Sequence, residues 1–199
     1  MLGSITPLGE RGRGALWGLT ATAYIMASTV SGTVVGGLLG LAGSPTDRLA
    51  APARLGLIAA AILSGLVLDL GLFGLRLPTV HRQVNDEWMY RYRGWVYGAA
   101  FGAQLGVGAA TVVTTSATYA ALLVAFLSAS PATGAAIGLV FGLVRALAVL
   151  LVAQVREPHQ LGRVHRALER LDPASRSLTL AAQSALALGA VALTLVASR

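Results

Sequence analysis

Five apolar stretches of more than twenty residues limit this chain to folds that a lipid bilayer can hold. They cover residues 15–43, 55–75, 95–127, 134–155 and 177–197. A helix rises ~1.5 Å per residue, so ~20 residues cross the ~30 Å hydrocarbon core of a membrane. The composition agrees, since 55% of the residues are hydrophobic and only 12% are charged. We therefore expect an all-α polytopic transmembrane bundle of five spans, with residues 1–199 forming a single membrane domain.

The arginines predict the orientation of the bundle. If the N-terminus is cytoplasmic, eleven of the 15 basic residues lie in cytoplasmic connections, namely Arg11, Arg13, Arg76, Arg82, Arg91, Arg93, Arg156, Arg163, Arg166, Arg170 and Arg176. Only Arg48, Arg54 and Arg199 then lie outside. Because positive charge is retained on the cytoplasmic side, we expect a multi-pass protein of the bacterial inner membrane, with its C-terminus external. The first apolar run is too long for a signal-peptide core, so we expect it to remain as a span.

The placement of the arginines also explains the formal net charge of +7. The arginines flank apolar segments in short connections, which favours contact with anionic headgroups at the cytoplasmic face over binding of nucleic acid. We therefore expect the lipid bilayer as a partner and no nucleic acid. The chain has no cysteine, which excludes disulfides and thiolate chemistry.

The third apolar segment, residues 95–127, is longer than one bilayer crossing and carries residues that can break a helix. These are Gly102, Gly106 and Gly108, followed by Thr111, Thr114, Thr115, Ser116 and Thr118. Hydroxyl side chains in an apolar helix can bend it, can line a polar cavity, or can simply allow close packing of helices. The sequence leaves these alternatives open, and also leaves open whether the long first segment is broken.

Two connections resemble each other and indicate an internal duplication. Arg76-Leu77-Pro78 precedes Val80-His81-Arg82, and Arg156-Glu157-Pro158 precedes Val164-His165-Arg166. This predicts a parallel repeat of a two-helix unit, with residues 14–93 as the first copy, 94–176 as the second and 177–197 as an additional transmembrane helix. Apolar spacing in both connections further predicts short amphipathic helices on the inner leaflet, the second lying between Pro158 and Pro173.

Glycine recurs at every fourth position in three segments. The sets are Gly32, Gly36 and Gly40; Gly98, Gly102 and Gly106; and Gly134, Gly138 and Gly142. Glycine at this spacing lets helix backbones approach closely in a membrane. The pattern predicts a compact bundle and leaves one glycine face available for a homodimer or for a partner membrane subunit.

Two charged residues, Asp69 and Arg145, lie within apolar segments. A charge inside the membrane is costly and is a functional hypothesis by default, so we expect the two to pair, although Asp69 could instead reach the headgroups. The candidate polar transport site comprises Asp69, Arg145, Gln104, Thr111, Thr114, Thr115, Thr118 and Tyr119. Gln183 is expected to form interhelical hydrogen bonds. No residue pattern predicts a catalytic centre, a metal site or a cofactor, so we expect no enzyme.

Part of the chain has the pattern of a broken helix with hydroxyls, a short turn and a glycine-rich helix. The residues that carry this pattern are Phe101-Gly102, the stretch 111–119 and the run from Gly138 to Gly142. In this, residues 95–155 resemble a repeat of the DsbD-like membrane proteins of cytochrome c biogenesis and thiol transport, which are similar to small-solute exporters. The Pro-Cys motifs of that family are absent, and its three-helix inverted repeats do not fit five spans. No functional residue is carried over.

The function expected from these features is transport of a small solute by a permease-like protein with an intramembrane polar site. The alternative is a non-catalytic accessory or assembly subunit of a membrane complex, whose glycine faces and cytoplasmic helices dock a partner.

Overall fold

The computed structural model describes residues 5–71, 91–108 and 116–197, and all regular structure in these ranges is helical. The elements are α1 (Pro7–Gly12), α2 (Trp17–Ala42), a 3-10 helix (Ser44–Arg48), α3 (Ala51–Asp69), α4 (Gly94–Val107), α5 (Ala117–Leu127), α6 (Pro131–Leu147) with a 3-10 extension (Ala148–Val152), and α7 (Pro158–Ala197). The prediction of an all-α chain is confirmed.

Within the described ranges, four helices are long and apolar enough to cross a bilayer: α2, α3, α6 with its extension, and α7. The long first segment forms one continuous helix of 26 residues. The third segment differs, since α4 ends at Val107 after 14 residues and α5 contains 11. At ~1.5 Å per residue neither crosses ~30 Å alone. Gly108 ends α4 with a φ of 77°, a left-handed conformation that glycine adopts without a side-chain clash.

Helices α2, α4 and α6 form the most closely packed part of the fold. The glycine faces of α2 and α6 lie against each other in antiparallel directions, so that a Cβ added to Gly36 would lie 2.9 Å from the Cα of Gly138. Helix α4 runs parallel to α2, and its Gly98 and Gly102 lie against the backbone of Thr20 and Tyr24. Because glycine has no side chain, the helix backbones come close together at these contacts, and this sets the distance between the helices.

Hydroxyl groups of α2 join these three helices further. Ser28 Oγ is buried and donates a 2.8 Å hydrogen bond to the carbonyl oxygen of Gly142 on α6. Ser31 Oγ donates a 2.9 Å bond to the carbonyl oxygen of Ala103 on α4. In an apolar environment such bonds satisfy the hydroxyl and fix the register of neighbouring helices.

Helix α3 packs mainly against α7, in antiparallel directions. Helix α7 has 40 residues and continues through Pro173, so it is ~60 Å long at ~1.5 Å per residue. The prediction of a separate amphipathic helix ending at Pro173 is wrong, because that segment is the first part of α7. The corresponding helix in the first connection, at residues 80–88, lies outside the described residues.

The predicted duplication stays a prediction. The parallel directions of α2 and α4 agree with a parallel repeat. The second helices of the two units have different neighbours, however, since α3 packs mainly on α7 and α6 mainly on α2. The connection at residues 76–82, on which the comparison partly rests, lies outside the described residues.

Candidate functional site

Asp69 is the last residue of α3, and its carboxylate binds the beginning of α5. The backbone N–H of Ser116 donates to both carboxylate oxygens, with nitrogen–oxygen distances of 2.9 and 3.0 Å. Ser116 Oγ donates to Oδ2 at 2.8 Å. A carboxylate at a helix N-terminus satisfies an N–H group that has no partner within the helix and interacts favourably with the helix dipole. Gly65 allows this approach, because a Cβ there would lie 2.5 Å from Ser116 Oγ.

Gln183 on α7 completes the cluster with Asp69 and Ser116. Its Nε2 donates to Asp69 Oδ2 at 2.9 Å and to Ser116 Oγ at 3.0 Å. The prediction of interhelical hydrogen bonds for Gln183 is confirmed. The side chain is only 5% exposed, and its Oε1 accepts no hydrogen bond from any residue that the structure describes. The cluster therefore holds a buried acceptor oxygen next to a carboxylate. This arrangement costs free energy unless a hydrogen-bond donor binds the oxygen.

The cluster of Asp69, Ser116 and Gln183 lies inside the bundle rather than at its end. Helix α5 follows Ser116 directly, and its residue Phe126 contacts Gly43 where α2 ends. Ten residues of helix place Ser116 ~15 Å from that end at ~1.5 Å per residue. Toward the opposite end, Arg176 of α7 donates a 3.2 Å hydrogen bond to the carbonyl oxygen of Asp69. The carboxylate is thus held at the meeting point of α3, α5 and α7.

The predicted pair of Asp69 and Arg145 is wrong. Among the residues that the structure describes, no ion pair joins them, and the Asp69 carboxylate is bonded by Ser116 and Gln183. The guanidinium carbon of Arg145 lies 5.1 Å from the ring centroid of Phe141, one turn earlier on α6, a cation–π geometry. The reason is the packing: α3 lies mainly against α7, whereas α6 lies mainly against α2.

Of the other predicted site residues, the three that the structure describes form no hydrogen bond with the Asp69 cluster. Gln104 is half-buried on α4. On α5, Thr118 is buried and Tyr119 half-buried. Thr111, Thr114 and Thr115 lie outside the described residues. Among the described residues, the cluster therefore contains one predicted site residue, Asp69, and two residues that the sequence singled out for helix breaking and for interhelical bonding.

A second polar cluster, centred on Glu10, was missed by the sequence analysis. The Glu10 side chain is fully buried. It accepts hydrogen bonds from Arg13 Nη2 at 2.6 Å, from Thr20 Oγ1 at 2.8 Å and from the hydroxyl of Tyr97. These contacts fasten α1 to the beginnings of α2 and α4. Glu10 and Arg13 are three residues apart before the first apolar run, a spacing that is equally typical of an exposed pair.

Arg13 remains a cation in this cluster. Burial opposes its positive charge, but hydrogen bonds to Glu10 and Tyr97 outweigh that effect, and the pKa of the guanidinium is raised above its ordinary value. Its guanidinium carbon also lies 5.5 Å from the ring centroid of Tyr97. The buried carboxylate of Glu10 is therefore neutralised by a permanently charged partner.

The fold and its polar clusters define the class: over the residues that the structure describes, the protein is all-helical and has four helices long and apolar enough to cross a membrane. Within the described ranges, no three side chains of His, Cys, Asp and Glu form a group that could hold a metal ion. Comparison with known proteins finds no matching family model, no matching curated protein and no matching solved structure.

Proposed function

We propose that this protein is a small-solute transporter of the permease type in the bacterial inner membrane, with the cluster of Asp69, Ser116 and Gln183 as its polar site. The observation that carries the proposal is the buried Oε1 of Gln183, which no described residue bonds and which lies beside the Asp69 carboxylate. Ionisable groups within a membrane are retained where they contact a substrate, an ion or a proton. The two acceptors are suited to a proton or to a solute with hydrogen-bond donors.

The proposed topology has a cytoplasmic N-terminus, five crossings and an external C-terminus. The third crossing is made by α4 and α5 in succession. The arginine asymmetry supports this orientation. The helix directions agree with alternating crossings, since α2 is parallel to α4 and antiparallel to α6, and α3 is antiparallel to α7.

Protonation of Asp69 changes the hydrogen bonds that the site requires. An ionised carboxylate only accepts, and the Nε2 group of Gln183 supplies a donor. A protonated carboxyl group must itself donate, and rotation of the Gln183 amide by about 180° presents Oε1 as the acceptor. The two arrangements therefore differ by one proton and by the orientation of the Gln183 amide, and we propose that proton uptake at Asp69 is coupled to solute release through this difference.

The test is proton flux in liposomes reconstituted with the purified protein and containing a pH-sensitive dye. Gradients of monovalent cations, small amines and amino acids are imposed in turn. We expect a solute-dependent flux in wild type that falls at least tenfold in Asp69→Asn. The control is Asp47→Asn, because Asp47 is an exposed acid in a surface pair with Arg54. Thermal unfolding in detergent checks that each variant folds.

Two outcomes would contradict the proposal. The first is a folded Asp69→Asn variant with the flux of wild type. The second is a folded wild-type protein that moves protons with none of the imposed gradients.

The alternative, an accessory or assembly subunit, is favoured by one observation. The first part of α7 is largely exposed, carries Arg163, Arg166 and Arg170, and includes Leu171 with 60% of its side chain exposed. A photo-crosslinker at Leu171 tests it in cells. A discrete crosslink to another membrane protein favours the subunit, a crosslink to a second copy favours a homodimer, and crosslinks to lipid alone leave the transporter as the better interpretation.

A further inference from the structure

An open groove of about 670 Å³ lies at the end of the bundle where α2 and α4 begin. Its walls are the turn after α1, the first turns of α2 and the first residues of α4. The volume falls in the range of about 300–1,000 Å³ that is typical of small-molecule sites. The buried Glu10 cluster, which binds α1 to both helices, holds these walls in place.

The charges of the groove favour a ligand with one negative charge. Arg13 and Arg93 both line it. Arg13 is bonded to Glu10, whereas Arg93 is exposed and forms no ion pair with any residue that the structure describes. Among the described residues at the groove, two guanidinium groups and the carboxylate of Glu10 leave an excess of one positive charge. A phosphodiester carries one negative charge, and guanidinium groups bind phosphate oxygens through directed hydrogen bonds.

The apolar side of the groove continues along the outside of α2. Leu16 and Leu19 line the groove with 76% and 54% of their surfaces exposed. They begin a stripe of exposed apolar side chains on α2, which continues with Met26, Val30, Val34, Leu38 and Leu41. Their helical spacing places these residues on one face that a bilayer would cover. A ligand in the groove therefore has an apolar surface directly beside its charged end.

We propose that this groove binds one anionic phospholipid, with its phosphodiester between Arg13 and Arg93 and an acyl chain along the exposed stripe of α2. Tyr92 and Trp95 also line the groove, and Tyr and Trp are the residue types enriched at the interface between a bilayer and water. The first peptide N–H groups of α4, which follow Arg93, add favourable dipoles to the phosphate contact. This inference requires insertion into a membrane but does not depend on transport.

The experiment is native mass spectrometry of the delipidated protein in detergent, titrated with phosphatidylglycerol. We expect one lipid to bind wild type more tightly than the rest. Arg93→Gln should weaken this binding about tenfold, the loss expected for one charge-assisted hydrogen bond, and Arg93→Lys should retain most of it. The matched control is Arg91→Gln, because Arg91 is equally exposed and lies two residues away but does not line the groove.

Further measurements distinguish binding of the whole lipid from binding of its phosphate group or its acyl chain alone. Phosphatidylcholine, which has no net charge, should bind more weakly than phosphatidylglycerol, and inorganic phosphate at the same concentration should not displace the lipid. Leu19→Ser should weaken the lipid contact while leaving the charges unchanged. Unfolding temperatures without lipid should be equal for wild type and Arg93→Gln, since Arg93 makes no ion pair with the described residues.

Three results would overturn the proposal. An equal loss in Arg91→Gln would mean general attraction of anionic lipid to the arginine-rich end. Displacement by inorganic phosphate would mean a phosphate site without a role for the acyl chain. Absence of a distinguishable first lipid in wild type would mean that the groove holds none.

Discussion

The glycine contact between α2 and α6 gives the sharpest prediction about stability, because two adjacent glycines of α2 have different surroundings. In Gly36→Ala the new methyl group lies 2.9 Å from the Cα of Gly138 and 3.0 Å from the carbonyl carbon of Gly134. In Gly37→Ala it lies 3.5 Å from the Cβ of Ala135, which is ordinary van der Waals contact. The two variants add the same atoms to neighbouring positions of one helix.

The expected magnitude follows from these distances. Carbon atoms pack best at about 3.5–4.0 Å, so Gly36→Ala must move α6 outward by roughly 0.6–1 Å, and overpacking of this kind costs about 1–3 kcal/mol. Alanine recovers up to ~1 kcal/mol in either variant because it favours helix over glycine. We expect Gly36→Ala to be destabilised and Gly37→Ala to be neutral or slightly stabilised, with a difference of about 2 kcal/mol.

The assay is reversible unfolding in mixed micelles with increasing denaturing detergent, followed by far-ultraviolet circular dichroism. Gly189→Ala on α7 serves as a second control, because nothing lies within 4 Å of a Cβ at that position. If Gly36→Ala unfolds at the same detergent fraction as Gly37→Ala, the backbone contact does not determine the packing of α2 on α6.

Three further results are expected. Glu10→Ala should lower the free energy of unfolding by about 3–5 kcal/mol, since it leaves Arg13 partly buried without its carboxylate, and an unchanged unfolding transition would contradict the assigned role of the cluster. Ser28→Ala should cost about 1 kcal/mol in the same assay through loss of its bond to Gly142, and a cost near zero would show that this bond does not contribute. Reporters fused after Arg176 and after the C-terminus should report cytoplasmic and external locations; the same side for both would remove the fifth crossing.

The sequence by itself determined which parts of the chain form long apolar helices. The boundaries of α2 lie within two residues of the first apolar segment, because bilayer thickness and the absence of charge restrict a segment strongly. Helix α3 overlaps the second segment but begins four residues before it and ends at Asp69, six residues before the predicted end. The glycine run of the third segment also marked the place where α4 ends at Gly108. The helix end predicted at Pro173 is wrong, because a proline within a helix is tolerated where neighbouring groups adjust, and α7 continues through it.

Only the tertiary structure decided which polar groups meet. Asp69 and Arg145 are the conspicuous charges of the sequence, but helix pairing brings Asp69 to Ser116 and Gln183 instead. Glu10 resembles a surface residue in sequence and becomes fully buried because α1 folds against α2 and α4. Periodicity and hydropathy are properties of single segments, whereas a polar site depends on which helix faces come together. That choice rests here on close backbone contacts at glycine, whose position in the sequence does not reveal the partner helix.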